Sequence, residues 1–290
     1  MNDIQQKAML VKISIGLPGL RRKDKETSAE IKRDKNLGED SGQWQKQLYP
    51  DTAVKKPKGL TKDAAPTNAW VWQSQFRAGV KELTLAWPDE GFRLLPMTKH
   101  HEFTAYARTQ TPVFEAMIDK FVANLADYEK WARVEHNGTF DPKFYGEDWV
   151  RCQFRFRVEL RPIPGDDQFS NGISAMVGAT NVDECVREAL AEANKDLFGR
   201  LIAPVQKMVE ALKQKGKTFR DSLITNVGDV IANVESLNVT GDPALSDLCK
   251  QMRDKLAVQD PERLRKRPLV RDQAVKDAED ILDRMKGYVM

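Results

Sequence analysis

The segment Arg151-Cys-Gln-Phe-Arg-Phe-Arg-Val-Glu-Leu-Arg161 alternates apolar and polar residues without a break. Successive side chains of a β-strand point to opposite faces, so strict alternation predicts a half-buried strand. Cys152, Phe154, Phe156, Val158 and Leu160 share one face. Arg151, Gln153, Arg155, Arg157, Glu159 and Arg161 share the other. Same-face residues recur about every 6.6 Å, and a row of arginines at that pitch can follow a phosphate backbone. Carboxylates on a neighbouring element can neutralise the same row, and the chain has 43 Asp and Glu to supply them.

Outward from this strand the apolar pattern changes period. Residues 8–16 (AMLVKISIG) form a short apolar run read as a second strand. Residues 67–85 read as a helix that Thr67 or Asn68 can cap, followed by a turn at Trp87-Pro-Asp-Glu-Gly91 and a short extended piece at 92–96. In 99–134, Pro112 ends or kinks a helix. Beyond it, Phe114, Met117, Ile118, Phe121, Leu125, Tyr128 and Trp131 recur at three- and four-residue steps, a wide apolar stripe over 113–134 that ends at Asn137-Gly138. From about residue 180 the pattern is helical: 180–215 with Pro204 inside and Gly216 at its end, 218–236, 244–257 after a Thr240-Gly-Asp-Pro243 turn, and 269–286. Pro261 and Pro268 interrupt the chain before the last helix. The expected fold is α+β: a small antiparallel sheet containing 8–16 and 151–161 packed on the 113–134 helix, then a mostly helical C-terminal half. The expected domains are a basic N-terminal strand and arm (1–66), an α+β core (67–170) and a helical, oligomerising region (171–290).

Composition narrows the class. A chain of 290 residues accommodates one large domain or two small ones. Its net charge is only +3, so any surface for nucleic acid must be a local patch. Cys152, Cys185 and Cys249 are widely spaced, without metal-ligand spacing, as in a reduced cytosolic protein. The N-terminus does not read as a secretory signal, and no window approaches the roughly 18 apolar residues of a membrane helix. The expected location is therefore the cytoplasm, with no membrane partner and no cofactor.

Positive charge collects in three places. The arginine strand supplies Arg151, Arg155, Arg157 and Arg161. Residues 1–66 hold 14 Lys/Arg against 9 Asp/Glu, densest at Arg21, Arg22, Lys23 and Lys25. The third cluster is Arg263, Arg265, Lys266 and Arg267, with Arg271 beyond it. Trp44, Tyr49, Trp70, Trp72 and Phe76 add an aromatic group interleaved with glutamines and Arg77. Aromatic faces beside a basic track are how single strands are held without sequence preference. Competing readings are plain: charge runs usually face water, and Trp70 and Trp72, two apart on a helix, cannot both face one ligand. The interval 36–68, with scattered Gly, Pro, Asp and Asn, reads as a long loop or an arm ordered on contact.

Catalytic signatures are absent: no Gly-rich phosphate loop, no zinc-protease motif and no nucleophile elbow. The carboxylate pairs Asp89-Glu90, Asp166-Asp167 and Asp183-Glu184 fall at turns or helix starts, where acidic residues cap and complement the dipole. His100-His101 falls near the start of a helix.

Leu85-Ala-Trp-Pro-Asp-Glu-Gly-Phe-Arg-Leu-Leu-Pro96 and Phe154-Arg-Phe-Arg-Val-Glu-Leu-Arg-Pro-Ile-Pro164, separated by an amphipathic helix and followed by a helical region, resemble an uncharacterised family of bacteriophages and integrative elements over roughly residues 10–215. The resemblance implies a mobile-element setting near recombination genes or a MoxR-like AAA+ ATPase. It supplies no catalytic residues. Together the residues and the resemblance predict a non-enzymatic, homo-oligomeric protein binding single-stranded DNA in phage recombination or replication. The alternative is an adaptor docking on an AAA+ ATPase or host factor. A third reading is a metal-dependent nuclease using Asp166 and Asp167.

Overall fold

A computed structural model of the protein describes residues 2–23, 25–35, 45–59, 61, 64–89, 91–136, 140–163, 182–214 and 219–289. In chain order its elements are α1 (Asn2–Lys7), β1 (Ala8–Gly16), β2 (Arg21–Lys23), α2 (Lys25–Asp34), β3 (Gln45–Gln47), α3 (Asp51–Val54) and α4 (Ala69–Leu83). Next come β4 (Leu85–Ala86), β5 (Phe92–Pro96), α5 (His100–Ala123), α6 (Leu125–Glu135), α7 (Glu147–Gln153) and β6 (Arg155–Arg161). The C-terminal region holds α8 (Val182–Lys213), α9 (Ser222–Leu237), α10 (Pro243–Met252), α11 (Pro261–Lys266) and α12 (Pro268–Val289). A π-helical turn, Arg253–Ala257, extends α10.

The fold is α+β, with a four-stranded antiparallel sheet in the order β4-β5-β1-β6 and a mostly helical C-terminal half. In the sheet Leu10 lies opposite Leu94, Lys12 opposite Phe92, and Leu85 opposite Leu94. A separate two-stranded ribbon pairs β2 with β3, placing Arg22 opposite Lys46.

The chain forms two compact units, each assembled from separated segments. One comprises residues 1–12, 81–103 and 159–290, and the other 13–80 and 104–158. Of the three consecutive segments expected from the sequence, 171–290 falls wholly within the first unit, and the other two are divided.

The core of the first unit is aliphatic. Leu197, Leu201, Val205 and Met208 on α8 lie at helical spacing, fully buried with Val227, Ile231 and Val234 of α9, Leu245 and Met252 of α10, and Ala274, Ala278, Ile281 and Met285 of α12. The sheet contributes Ala8, Leu10, Leu85 and Leu94 to the same cluster. The turn into α10 follows its sequence. Gly241 takes φ +65°, a left-handed conformation that glycine adopts without a Cβ penalty. Asp242 then accepts hydrogen bonds from the Ala244 and Leu245 amides at 2.8 and 3.1 Å, and Pro243 occupies the position whose amide has no helical partner.

The core of the second unit is aromatic. Trp72 is fully buried, stacked on Phe76 at 5.0 Å and on Phe114 at 4.4 Å, with its indole N–H donating to Gln110 Oε1 at 3.0 Å. Asn68 caps the helix that carries it, accepting from the Val71 amide at 3.0 Å. Tyr49 is also fully buried and donates to the Phe144 carbonyl at 3.1 Å, while Tyr145 donates to the Leu48 carbonyl at 2.7 Å. Burial removes water from both phenols and disfavours the phenolate, so the Tyr49 pKa is raised and that of Tyr145 is pushed up to about 12. Gly79 sits inside α4 because a Cβ there would come within 2.4 Å of the Tyr106 hydroxyl, on a ring that stacks on Phe76.

Several boundaries differ from the sequence reading. The alternating strand starts at Arg155 rather than Arg151. Residues 147–153 are helical because Glu147 and Asp148 complement the N-terminal dipole and Val150 is the buried anchor. Cys152 is accordingly exposed and not on a buried strand face. α5 runs through Pro112, which falls on the exposed side together with Arg108, whose carbonyl proline cannot serve. The apolar stripe of 113–134 breaks at Asn124, between α5 and α6. Residues 45–54 of the expected arm carry β3 and α3 with buried Leu48, Tyr49, Ala53 and Val54. The Pro-bounded 261–266 segment is a helix. The stops expected at Asn137-Gly138 and Gly216, and the caps at Thr180 or Asn181, lie outside the described residues.

Candidate nucleic-acid interface

Strand β6 is an edge of the four-stranded sheet; its burial alternates over 155–158 and then breaks, with Glu159 half-buried and Leu160, expected on the buried face, exposed. Arg155 and Arg157 project from the exposed face with no hydrogen bond or ion pair among the described residues. Unpaired charge on an edge strand also resists pairing with other strands. The other two arginines of the expected row are occupied. Arg151 lies on α7, where its guanidinium reaches Glu147 at 2.8 Å and Asp119 at 3.0 Å, and these carboxylates raise its pKa. Arg161 pairs with Glu159 on its own strand and lies 5.1 Å from the centre of the Phe92 ring. Of the four arginines in the sequence, two, set two residues apart, have no partner among the described residues.

The second unit carries further cations on a strand that follows shortly after a contact with β6. Gly16, the last residue of β1, packs against the start of β6: a Cβ there would lie 3.0 Å from the Gln153 carbonyl oxygen and 3.3 Å from Arg155 Cβ. Five residues later β2 begins, a span of at most about 18 Å of extended chain. Arg21, Arg22 and Lys23 are all exposed on that strand. The facing strand is Gln45-Lys46-Gln47, so the ribbon contains no carboxylate, and Arg22 sits directly opposite Lys46. Lys46 also faces Asp141, whose carboxyl it helps Lys143 to hold below the usual carboxylate range. Arg22 also lies over the Phe144 ring at 4.2 Å, which fixes its guanidinium. Lys25 is exposed at the start of α2.

In the C-terminal cluster the sequence overstated the free charge. Arg265 donates to the Phe219 carbonyl at 2.7 Å, pairs with Asp221 and lies over the Phe219 ring. Lys266 pairs with Glu262 at 2.9 Å. Arg271 donates to the carbonyls of Leu212, Ala211 and Gln214 at 2.6, 3.2 and 3.0 Å, filling the orphan acceptors at the end of α8. Only Arg263 and Arg267 of this cluster are exposed without a partner among the described residues.

The described members of the aromatic group are packed into the protein rather than laid open as a stacking face. Trp72, Phe76 and Tyr49 are fully buried, and Trp70 is half-buried against Phe121 and Phe154 at 5.5 and 6.5 Å. Trp70 and Trp72 both find apolar partners because α4 is packed on more than one side. Trp44, Glu90, Asp166 and Asp167 lie outside the described residues. Among the described residues no three His, Cys, Asp or Glu gather as a metal site, and no helix is long and apolar enough to cross a membrane.

Sequence reasoning missed one residue of the ribbon: Lys46 joins it through strand pairing, a contact with no local signal. Searches of protein-family models, characterised proteins and solved structures give no match to the chain.

Proposed function

We propose that the protein is a non-enzymatic nucleic-acid-binding protein whose second unit holds the phosphate backbone, with single-stranded DNA as its ligand. The observation that carries this reading is the couple Arg155 and Arg157, exposed on an edge strand without a partner among the described residues, with Gly16 packed against Arg155 and the cation-bearing strand β2 beginning five residues after that glycine. In a chain of net charge +3, cations without internal partners are the ones open to phosphate. Guanidiniums suit the task because their planar donor fork matches phosphate oxygens. With Tyr49, Trp72 and Phe76 committed to the core, phosphate contacts supply the affinity, and binding is steeply salt-dependent and tolerant of sequence.

Fluorescence anisotropy of a labelled single-stranded oligonucleotide, titrated across a salt series, tests this. Each lost phosphate contact lowers the slope of log affinity against log salt by about 0.7 on single strands, so Arg155→Ala/Arg157→Ala flattens it by about 1.4. Arg21→Ala/Arg22→Ala/Lys23→Ala flattens it further. Equal affinities and slopes for wild type and the Arg155→Ala/Arg157→Ala protein would sink the proposal.

A further inference from the structure

The β2–β3 ribbon carries four cations, Arg21, Arg22, Lys23 and Lys46, and the fold sorts them onto two faces. Residues directly opposite in an antiparallel pair share a face, and successive residues alternate. The register sets Arg22 opposite Lys46 on one face. Arg21 opposite Gln47 and Lys23 opposite Gln45 make up the other. The Leu48 amide extends the pairing by donating to the Leu20 carbonyl at 2.9 Å.

Neighbouring residues support the sorting separately on each side. The Arg22–Lys46 face turns to residues 141–144. Arg22 lies over the ring of the buried Phe144 at 4.2 Å, and Lys46 lies near Asp141. The Gln47 side meets a different part of the unit. Its amide donates to the Tyr49 carbonyl at 2.6 Å and to the Asp51 carboxylate at 3.0 Å. Arg21 lies near the same carboxylate, which Lys55 holds at 2.5 Å, and makes no hydrogen bond among the described residues. Lys23 and Gln45 are exposed without a partner among the described residues. Arg22 is exposed as well, so exposure does not separate the three cations of β2. The direction in which each leaves the ribbon does.

A strand of nucleic acid laid along one face of a ribbon cannot also follow side chains that leave the other. Arg21 and Lys23 stand about 6.6 Å apart on one face, the same alternation as Arg155 and Arg157 on β6. Their cross-strand neighbours are two glutamines, so the pairing gives them no carboxylate. Arg22 is already drawn to the face of an aromatic ring, an attraction that fastens the ribbon to the 141–144 segment. We infer, on the basis of the nucleic-acid reading, that the ribbon is two-sided: Arg21 and Lys23 contact phosphates of the bound strand, and Arg22 and Lys46 hold the ribbon in place and contact none.

The test is anisotropy of a labelled oligothymidylate titrated with the full chain across a salt series. Each phosphate contact contributes about 0.7 to the slope of log affinity against log salt on single strands. Arg21→Ala/Lys23→Ala should flatten the slope by about 1.4 and weaken binding roughly 25-fold at 0.1 M salt. Arg22→Ala should flatten it by less than about 0.3 while lowering the melting temperature, which the Arg21→Ala/Lys23→Ala protein keeps. Arg21→Gln/Lys23→Gln, with longer side chains retained, repeats the test if the alanine protein does not fold. Equal flattening by Arg22→Ala and by Arg21→Ala or Lys23→Ala, compared singly, overturns the inference, as does an unchanged slope in Arg21→Ala/Lys23→Ala. Either result leaves the nucleic-acid reading standing, provided that wild type binds and Arg155→Ala/Arg157→Ala weakens binding in the same assay. A wild-type protein that binds no oligonucleotide at any salt overturns both.

Discussion

Strand β6 and the segment 261–271 carry the same signal in sequence, a dense run of arginine, yet the fold uses them differently. On β6 the arginine side chains stand out from the pleat, away from the strand's own carbonyls, which lie in the plane of the sheet. Arg155 and Arg157 therefore remain free. At 261–271 the arginines meet the frayed ends of helices. The last carbonyls of α8 have no helical donor, and Arg271 supplies three hydrogen bonds to them. Arg265 holds the Phe219 carbonyl in the segment that leads into α9 and pairs with Asp221 there. Positive charge near a helix C-terminus is absorbed as structure, and positive charge on an edge strand stays available for ligands.

The strongest way to break this comparison is Arg271→Ala. It removes three charge-assisted bonds at a partly buried helix end and exposes carbonyls that nothing replaces. The expected loss is about 2–3 kcal/mol, on the scale of hydrogen bonds to charged groups. Lys at this position should recover little, because a single ammonium cannot fork across carbonyls of Ala211, Leu212 and Gln214. Urea unfolding followed by circular dichroism measures both. A midpoint unchanged in Arg271→Ala would mean that this arginine is as free as those on β6.

Arg265→Ala should cost less. Its carbonyl bond to Phe219 is partly buried, but its ion pair with Asp221 is close to solvent and contributes little. A loss of about 1 kcal/mol is expected from the hydrogen bond. The same urea series ranks it below Arg271→Ala, and the reverse ranking would contradict the assignment of the α8 end as the site of greatest need.

Much of the fold was legible because periodicity reports burial. The strand 8–16, the α8 stripe and the 240–243 turn follow from spacing and turn chemistry alone. The stretch 151–154 was misread because helix and strand patterns coincide over four residues. The deciding signal was the Glu147-Asp148 pair ahead of it, together with Arg151 one turn after Glu147. Tyr49 lies in a polar, Gly- and Pro-rich interval, and its burial depends on acceptors 95 residues away. The candidate site was half legible: the sequence shows which arginines alternate, and only folding shows which ones meet Glu147, Asp119 or Glu159.

The smallest expected effect is also the sharpest discriminator. Arg155→Ala/Arg157→Ala removes two charges with no partner among the described residues, so folding loses no hydrogen bond and leaves no buried group unsatisfied. Surface changes of this kind usually stay within about 0.5 kcal/mol. The double variant should therefore unfold at the wild-type urea midpoint while its oligonucleotide affinity falls. That combination separates a ligand-facing arginine from a structural one, because Arg271→Ala moves the midpoint first. A double variant that lost stability comparable to Arg271→Ala would show that Arg155 and Arg157 serve the fold, and the distinction between edge strand and helix end would fail at the strand.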